Sequence, residues 1–525
     1  MSNKVTRRRF LEMSAGAVGV TILASCQPSA PTQAPAAPTQ AGAATAAPKG
    51  PAPKVHLWSN MVALVRPEGS DPEALEMVKN YIVEKVGVEP VANIPPAGTA
   101  GAEKLNLMLG SKTEELDIFV EEWSTYKDAV LTINELLDQY GQDIKKKFPK
   151  DYWAMVTDSE GKIWGVPRLA PSLHVTPTWF RTDWLKELNL PMPSTFDQME
   201  QTMEAFRQKY PDCVLLTNSL KDFRYATVGG FTQYGYSNWF DTKDNLLKPP
   251  ELQPDYKDWV AKMAEWYKKG WIFKESFATH DDAEVAKGGR VAIFAGWYSR
   301  VTIWFQRIID AVPGMNFEFN PQGITGPKGL LNTFEPGGGR AFMITRKCKH
   351  PDAAMKFLNW QFADIENCLT AHMGVKGVHW DWDEEANKVY GKKYFVKRLV
   401  TPETPGAKVY AGEFMASTGP ITEPYYGFSD KEWKKHYEYI RDYCFNFSVG
   451  KQRVDWLVPY DGAIIKQKVP GLNDISRLLD EETTKFITGA RPLSEWGAFV
   501  DQLHKAGLKD WMAAHTEQYL KFTQK

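Results

Sequence analysis

The fold is decided by two apolar runs, KVHLWSN at 54–60 and LDIFVEEW at 116–123. Each run is short, mostly apolar and ends in polar or aromatic residues, which is typical of a buried strand leaving its sheet. Between them lie a helix-period segment at 71–87, a strand-like run at 88–94 and a second helical segment at 102–109. This alternation predicts right-handed crossovers and a mainly parallel sheet flanked by helices.

Local signals mark where helices begin and end. Asp71 is placed to cap the first helix, with Pro72 at its first position and Gly87 as its terminator. Thr195 and Gln198 have the spacing of a capping box, in which two side chains satisfy the N–H groups of a helix start. We therefore expect one helix from 72 to 86 and another that begins after Thr195.

The ends of the first strands carry candidate ligand-binding residues. In parallel α/β sheets, ligands bind beyond the carboxyl ends of the strands. Here those ends present Trp58, Asn60, Glu122 and Trp123. The alternative for each tryptophan is a place in the core or its rim, and for the polar residues a place in a solvated loop.

The rest of the chain repeats this organisation. Helix-period segments at 195–210 and 259–270 precede an apolar strand at 290–297, and a strand at 341–345 leads into a helix at 350–362. The chain has 525 residues and 43% hydrophobic content, enough for two domains with cores of their own. We expect an α/β protein.

The charge balance and the hydropathy exclude two classes of protein. The formal net charge is -1, whereas nucleic-acid binders carry a basic excess or stripe, so we expect no nucleic-acid partner. After Cys26, no stretch approaches the roughly 20 apolar residues of a membrane-spanning helix.

The first 26 residues predict export and anchoring. The stretch TRRRFLEMSAGAVGVTILASC, at 6–26, has paired arginines, a short apolar run and a small-residue end. It resembles a twin-arginine signal followed by a lipobox, which predicts a signal peptide at 1–25, a lipid on Cys26 and a place on the outer face of the cell membrane, in the periplasm or at the cell surface. The alternatives are a plain cleaved signal or a chance cysteine. The Ala/Pro-rich stretch at 26–54 predicts a disordered linker.

The remaining cysteines are Cys213, Cys348, Cys368 and Cys444. They form no Cys-x-x-Cys pair and lie far apart, so we predict no metal site and no cofactor. Export of a folded protein favours free thiols, although a pairing of Cys348 with Cys368 stays open.

Five segments resemble, in their order and spacing, family 1 extracellular solute-binding proteins of ABC importers. They are DSEGKIWGVP at 158–167, RTDWL at 181–185, PSTF at 193–196, WYKKG at 266–270 and VAIFAGW at 291–297. The chain is most similar to the long oligosaccharide-binding members, which include binders of alginate and pectic oligosaccharides. The resemblance extends from about residue 55 to the C-terminus.

The resemblance implies a two-lobed periplasmic-binding-protein type II fold, each lobe a mainly parallel sheet flanked by helices, with the ligand cleft between the lobes. The first lobe would comprise 55–172 plus 296–337, and the second 173–295 plus 338–525. Crossing segments are expected near 170–175, 292–295 and 337–340. The protein would be a monomer that delivers its solute to ABC-transporter permease subunits.

The resemblance and the chemistry of sugars together extend the list of candidate ligand residues. Sugars need aromatic platforms and charged or amide groups that bind hydroxyls. Trp297 is the expected platform, with an ordinary core tryptophan as its alternative. The further candidates are Arg168, Glu335, Arg340 and Tyr425. The loop at 209–214 lacks the alternating oxygen ligands of a calcium loop, so we predict no calcium there.

Two other functions stay open at this stage. The first is the same transport role with a peptide or another solute that is not a sugar. The second is a surface enzyme that degrades polysaccharides, which would need two carboxylates facing one glycosidic bond. Glu121, Glu122 and Glu335 are available, but adjacent acids in loops are usually solvated, and we expect no enzyme.

Overall fold

The computed structural model describes residues 50–59, 69–96, 99–148, 150–168, 176–277, 285–286, 288–296, 312–320, 322–329, 340–388, 395–401, 404–416, 427–428, 455 and 458–523. All of them belong to one compact unit that spans 48–525. The strands are β1 (Lys54–Trp58), β2 (Glu89–Asn93), β3 (Ile118–Glu122), β4 (Val166–Pro167), β5 (Thr178–Arg181), β6 (Val214–Thr217), β7 (Trp239–Asp241), β8 (Leu246–Lys248), β9 (Val291–Ala295), β10 (Phe317–Phe319), β11 (Arg340–Ile344), β12 (Trp380–Trp382), β13 (Phe395–Arg398) and β14 (Gly427–Phe428).

Helices surround these strands and supply most of the packing. The described helices are α1 (Pro72–Val86), α2 (Thr99–Gly110), α3 (Trp123–Tyr126), α4 (Asn134–Tyr140), α5 (Gln142–Lys147), α6 (Lys150–Ala154), α7 (Thr182–Glu187), α8 (Phe196–Lys209), α9 (Leu220–Thr227), α10 (Tyr256–Lys268), α11 (Pro351–Ala363), α12 (Ile365–Met373), α13 (Glu384–Lys388), α14 (Gly462–Lys468), α15 (Leu472–Thr488), α16 (Trp496–Lys505) and α17 (Leu508–Thr523).

The first sheet has five strands in the order β2-β1-β3-β11-β4. β1 is parallel to β2 and β3, as the crossovers predict, whereas β11 is antiparallel to β3 and β4. The sheet is therefore mixed rather than mainly parallel. Its strands pack on α1, which buries Ala74, Val78 and Ile82, and on α11. This first lobe has an apolar core of its own.

The second sheet has four strands in the order β10-β5-β9-β6. Only β6 and β9 are parallel, and β5 is antiparallel to both of its neighbours. Its core includes Trp259 and Trp266 from α10 and Phe486 from α15, all of which are fully or almost fully buried. A second core around a second sheet gives the two-lobed α/β architecture. The remaining described strands form two smaller sheets, β7-β8 and β12-β13-β14.

The local signals hold at two helix ends and fail at a third. Gly87 ends α1 in the left-handed region with φ 71°. The Thr195 hydroxyl accepts a hydrogen bond from the Gln198 N–H over 3.2 Å, which confirms the predicted cap of α8. Asp71 precedes α1 but makes no side-chain cap bond, because its Oδ2 accepts from the backbone N–H of Val409 instead.

The chain passes from the first sheet to the second between β4 and β5 and returns between β10 and β11, as expected near 170–175 and 337–340, but the crossing expected near 292–295 and the lobe bounds are wrong. β10 pairs with β5 in the second sheet, so the assignment of 296–337 to the first lobe is wrong for this strand. β11 pairs with β3 in the first sheet, so the assignment of 338–525 to the second lobe is wrong there. β9, the expected second crossing, lies inside the second sheet between β5 and β6. Strands as short as β10 carry too little periodicity to assign them from sequence.

The described cysteines are Cys213, Cys348 and Cys368, and all three have free thiols. The structure therefore does not pair Cys348 with Cys368. Cys368 is buried beside Met415. Among the described residues, no helix combines the length and the apolarity needed to cross a bilayer.

Candidate functional site

Three charged candidates meet at one edge of the first sheet. Arg340, the first residue of β11, is the register partner of Glu122, the last residue of β3. The backbone N–H of Arg168 donates to the Arg340 carbonyl oxygen over 3.0 Å at the end of β4. The Arg340 guanidinium lies 3.7 Å from the Glu121 carboxylate. Glu122 and Arg168 therefore lie in the lobe to which the sequence assigned them, whereas Arg340, which was expected in the second lobe, joins them in the first.

Glu122 is the most perturbed carboxyl of this edge. Burial raises the pKa of Glu122 to about 7, the nearby Glu121 charge acts in the same direction, and the Arg340 guanidinium opposes both. A carboxyl with such a pKa exists in both forms near neutral pH. It can accept hydrogen bonds when ionised and also donate one when protonated.

Trp58 and Trp123 lie in the core of the first lobe. Their exposed fractions are 3% and 1%, and both belong to a cluster that includes Phe119 and Ala341. The Trp123 indole N–H donates to the Met155 carbonyl oxygen over 2.9 Å. A stacking platform needs an open ring face, so in this conformation both rings take the core role that the sequence left as the alternative.

Trp123 supports a second indole close to the edge. Trp164 stacks on Trp123 with 6.1 Å between ring centroids and an interplanar angle of 6°. Its N–H donates to Asp158 Oδ2 over 2.9 Å, and the Lys127 ammonium lies 5.0 Å from the centre of its ring. Hydrogen bonds from Trp164 and from the Lys162 and Glu160 backbones lower the pKa of Asp158, although burial opposes them. This packing fixes the start of α3 directly after Glu122.

Ser59 and Ser70, the described residues on either side of the segment 60–68, are bound by a buried glutamate that sequence reasoning missed. Glu413 is 3% exposed, and its carboxylate accepts from the Ser70 N–H over 2.6 Å and from the Ser70 hydroxyl. The Ser59 hydroxyl donates to the Glu413 backbone oxygen. Both ends of the segment that contains Asn60 are therefore tied to one residue. No local pattern signals a partner 343 positions away.

The second sheet presents a polar edge of the same kind. β6 and β9 are parallel and end at Thr217 and Ala295, so Asn218 and Gly296 follow them at one edge. Gly296 is fixed there, because its N–H donates to Pro177 O over 3.1 Å and its oxygen accepts from the Trp179 indole over 3.0 Å. Asn218 was missed in the sequence, although the strand-end rule applied to 214–217 would have found it.

A short segment joins the two edges. Arg168 is at the edge of the first sheet, and Thr176 and Pro177 are at the edge of the second. Eight residue steps from Arg168 to Thr176 span at most about 28 Å of extended chain. The two sheet edges therefore lie no more than about 28 Å apart at these residues.

Several predicted site residues lie outside the described part of the chain. They are Cys26, Asn60, Trp297, Glu335 and Tyr425. Their roles stay predictions. Gly296 and Arg340 are the described neighbours of the segments that contain Trp297 and Glu335.

In the turn at 209–214, two backbone carbonyl oxygens accept hydrogen bonds from arginine side chains. Arg207 donates to Pro211 O over 2.6 Å, and Arg290 donates to Asp212 O through Nε and Nη2 over 3.0 and 2.9 Å. Within the residues that the structure describes, no group of three or more His, Cys, Asp or Glu side chains could hold a metal ion.

Comparisons with known proteins identify relatives of this chain. The fructooligosaccharide ABC transporter substrate-binding protein FusA of Streptococcus pneumoniae serotype 4 is 22% identical over 443 residues, which cover 77% of this chain and 78% of that protein. Among solved structures, a human-milk-oligosaccharide-binding solute-binding protein from Bifidobacterium longum infantis has a TM-score of 0.67 at 16% identity, covering 91% of this chain and 100% of its own.

A second solved structure agrees. The N-glycan transport solute-binding protein of Streptococcus pneumoniae has a TM-score of 0.66 at 16% identity, covering 90% of this chain and 99% of its own. At such identities the structural matches establish the two-lobed fold alone. The family model described as bacterial extracellular solute-binding protein matches residues 75–365, more than half of the 525 residues, and the chain therefore belongs to the bacterial extracellular solute-binding proteins.

Proposed function

We propose that this protein captures an oligosaccharide outside the cell and delivers it to the permease of an ABC importer. The observation that carries the proposal is the pair of polar edges on two lobes of a solute-binding fold. One edge holds Glu122, Arg168 and Arg340, and the other holds Asn218 beside Gly296. Closure of the lobes around a solute would bring both sets onto it.

The chemistry of the two edges suits a hydroxyl-rich ligand. Guanidinium groups donate to sugar oxygens, while a carboxyl near its pKa and an amide can also accept from hydroxyls. Glu122, Arg168 and Arg340 are therefore the described ligand residues in our proposal, with Asn60, Trp297, Glu335 and Tyr425 as candidates from sequence alone. Trp58 and Trp123 would support them from below. The names of the relatives point to carbohydrates of different chemistry.

The site of action is part of the proposal. The segment 1–25 would be the export signal, Cys26 the lipidated N-terminus, and 26–54 the linker between the membrane and the folded lobes. A captor held near its permease needs no second partner copy, so we expect a monomer. The test is the Cys26→Ser variant, which should leave the membrane fraction. Retention of that variant at the membrane would refute the lipid anchor.

A ligand screen by thermal shift tests the transport role, because a ligand that binds the folded state raises the melting temperature. The panel comprises nystose, an N-glycan oligosaccharide, human milk oligosaccharides, and alginate and polygalacturonate oligosaccharides, with oligopeptides and polyamines as the other solute classes. We expect a shift with at least one saccharide, and calorimetry should then give a one-to-one complex. A shift with peptides or polyamines alone would overturn the carbohydrate assignment. Release of shortened products from a saccharide would instead indicate an enzyme.

The edge itself is tested by Arg340→Ala, which removes a half-exposed guanidinium that lies 3.7 Å from the Glu121 carboxylate. We expect its affinity for the saccharide that shifts the wild type to fall roughly tenfold, the value of one charge-assisted hydrogen bond. The matched control is Arg477→Ala, which removes a similarly exposed guanidinium on α15 and should keep the wild-type affinity. Equal affinities for both variants would exclude the first-sheet edge from the site.

A further inference from the structure

The residue that follows β6 combines burial with a costly backbone conformation. Asn218 is 1% exposed. Its backbone has φ 148°, which residues other than glycine rarely adopt. Such residues persist where the surrounding structure holds them, and they concentrate at ligand and active sites. Asn189 and Asn245 are the other described residues of this kind outside glycine, and both are exposed.

The Asn218 amide nitrogen uses both of its N–H donors within the protein. Nδ2 donates to the backbone oxygen of Ala295, the residue before Gly296. It also lies 3.4 Å from Asp222 Oδ2, which accepts in turn from the Ser219 hydroxyl over 2.7 Å. The amide is thereby tied to the end of β9 and to the first turn of α9.

These two acceptors determine the orientation of the amide and leave Oδ1 as its atom without a partner among the described residues. A flipped amide would place Oδ1 against a carbonyl oxygen and a carboxylate, and all three groups accept hydrogen bonds. The observed orientation is therefore the favourable one. Oδ1 is buried and has no hydrogen-bond partner anywhere in the part of the chain that the structure describes. Buried acceptors without a donor are rare in native proteins and call for a cause.

We propose that Asn218 Oδ1 is a ligand contact of the second lobe and accepts a hydrogen bond from a hydroxyl group of the bound saccharide. This inference rests on the proposed function. A hydroxyl donor would satisfy the one unpaired atom of the amide. The position of Asn218 suits this role, because Asn218 and Gly296 share the strand-end edge at which ligands of α/β sheets bind. Asn218 also positions the end of β9 through the Ala295 oxygen.

The test is Asn218→Gly, measured by calorimetry with the saccharide that shifts the wild type most among nystose, the N-glycan oligosaccharide, the milk oligosaccharides and the alginate and polygalacturonate oligosaccharides. Glycine adopts φ 148° without strain, so the variant should fold. We expect affinity to fall roughly tenfold. We expect the melting temperature without ligand to stay within a few degrees, because relief of backbone strain offsets the lost bond to Ala295. Asn218→Ser, which retains a hydroxyl acceptor, should recover part of the affinity.

The matched control is Asn245→Gly, which relieves φ 57° at an exposed turn and should leave the affinity unchanged. If Asn218→Gly lowers the melting temperature without ligand but keeps the wild-type affinity within twofold, Asn218 is structural and the inference is overturned while the transport role stands. If the wild type binds none of the saccharides, the proposed function and this inference fail together.

Discussion

The ammonium group of Lys127 lies 3.3 Å from Asp461 Oδ2 and joins the first lobe to the C-terminal helices of the second. The same ammonium lies 3.6 Å from Asp158 Oδ2. Asp461 caps α14 by accepting from the Ala463 and Ile464 N–H groups, and α14 packs in the core of the second lobe. One lysine therefore bridges two carboxylates that belong to different lobes.

Lys127→Met should loosen this contact between the lobes. The groups are partly shielded from water, so we expect a loss of about 0.5 to 1 kcal/mol, which corresponds to a two- to fivefold change in ligand affinity. Part of the salt dependence of the wild-type affinity should disappear as well. Calorimetry at low and high salt measures both effects, and small-angle X-ray scattering reports the separation of the lobes.

The control for this prediction is Lys145→Met, which removes a surface ion pair with Asp138 inside the first lobe. It should change neither the affinity nor the scattering curve. Identical behaviour of the two variants would show that the Lys127 bridge has no influence on lobe position.

Glu413→Gln should destabilise the first lobe and weaken ligand binding. The wild-type carboxylate accepts twice from Ser70. The oxygen of a glutamine can keep the bond from the Ser70 N–H, but its NH₂ group cannot accept from the Ser70 hydroxyl. For a side chain that is 3% exposed, we expect a cost of about 2 to 3 kcal/mol in the free energy of unfolding. Ser59 and Ser70 flank the segment with Asn60, so affinity should fall too. Chemical denaturation and calorimetry measure the two quantities.

The control here is Glu73→Gln. Glu73 pairs with Lys408 over 2.9 Å, but both side chains are more than half exposed, so this change should alter the free energy of unfolding by less than about 0.5 kcal/mol. A Glu413→Gln protein as stable as this control would mean that the Ser70 contacts are replaceable by water.

Much of the first lobe could be predicted because its signals are local. The strands β1 and β3 and the helix α1 follow from periodicity, and Gly87 ends α1 through its own backbone preference. The position of Glu122 at the end of β3 follows from the strand-end rule. Its meeting with Arg340 does not, because the partner strand lies 218 positions further along the chain and was expected in the second lobe. These elements agree with the structure because each short segment decides its own conformation.

Contacts made by distant segments escaped prediction. Glu413 reaches Ser70 across 343 positions, and β10 joins the second sheet through three residues paired with β5. Trp123 illustrates the same limit, because a tryptophan at a strand end can either face the ligand or cover the core. Only the packing with Trp164 and Met155 decides for the core.

The thiols of Cys348 and Cys368 should be inert in the folded protein. Burial raises the pKa of Cys368 to about 12 and raises that of Cys348 strongly as well, so neither forms the reactive thiolate near neutral pH. We expect labelling by a maleimide only after denaturation and a melting temperature that does not depend on reductant. A lower melting temperature in dithiothreitol would reveal a disulfide after all.

Glu122 should make the stability depend on pH in a direction opposite to that of most carboxylates. Its pKa of about 7 exceeds the ordinary value of 4.5, so the native state holds a proton that the unfolded chain has released. The stability from this group is full below pH 4.5 and is lost as the pH rises through about 7. The wild-type protein should therefore lose about 2 to 3 kcal/mol of stability over that pH range, and Glu122→Gln should abolish this loss. Denaturation series at several pH values measure it.

Two neighbouring substitutions shift this transition in opposite directions. The Glu121 charge raises the pKa of Glu122, so Glu121→Gln should move the transition to lower pH, whereas loss of the opposing guanidinium in Arg340→Met should move it to higher pH. If Glu122 contacts the solute, the ligand affinity should also change over this pH range, because the protonated and ionised forms of the carboxyl bind hydroxyls differently. An affinity that is constant from pH 5 to pH 9 in the wild type would remove Glu122 from the ligand site, even if the stability profile agreed.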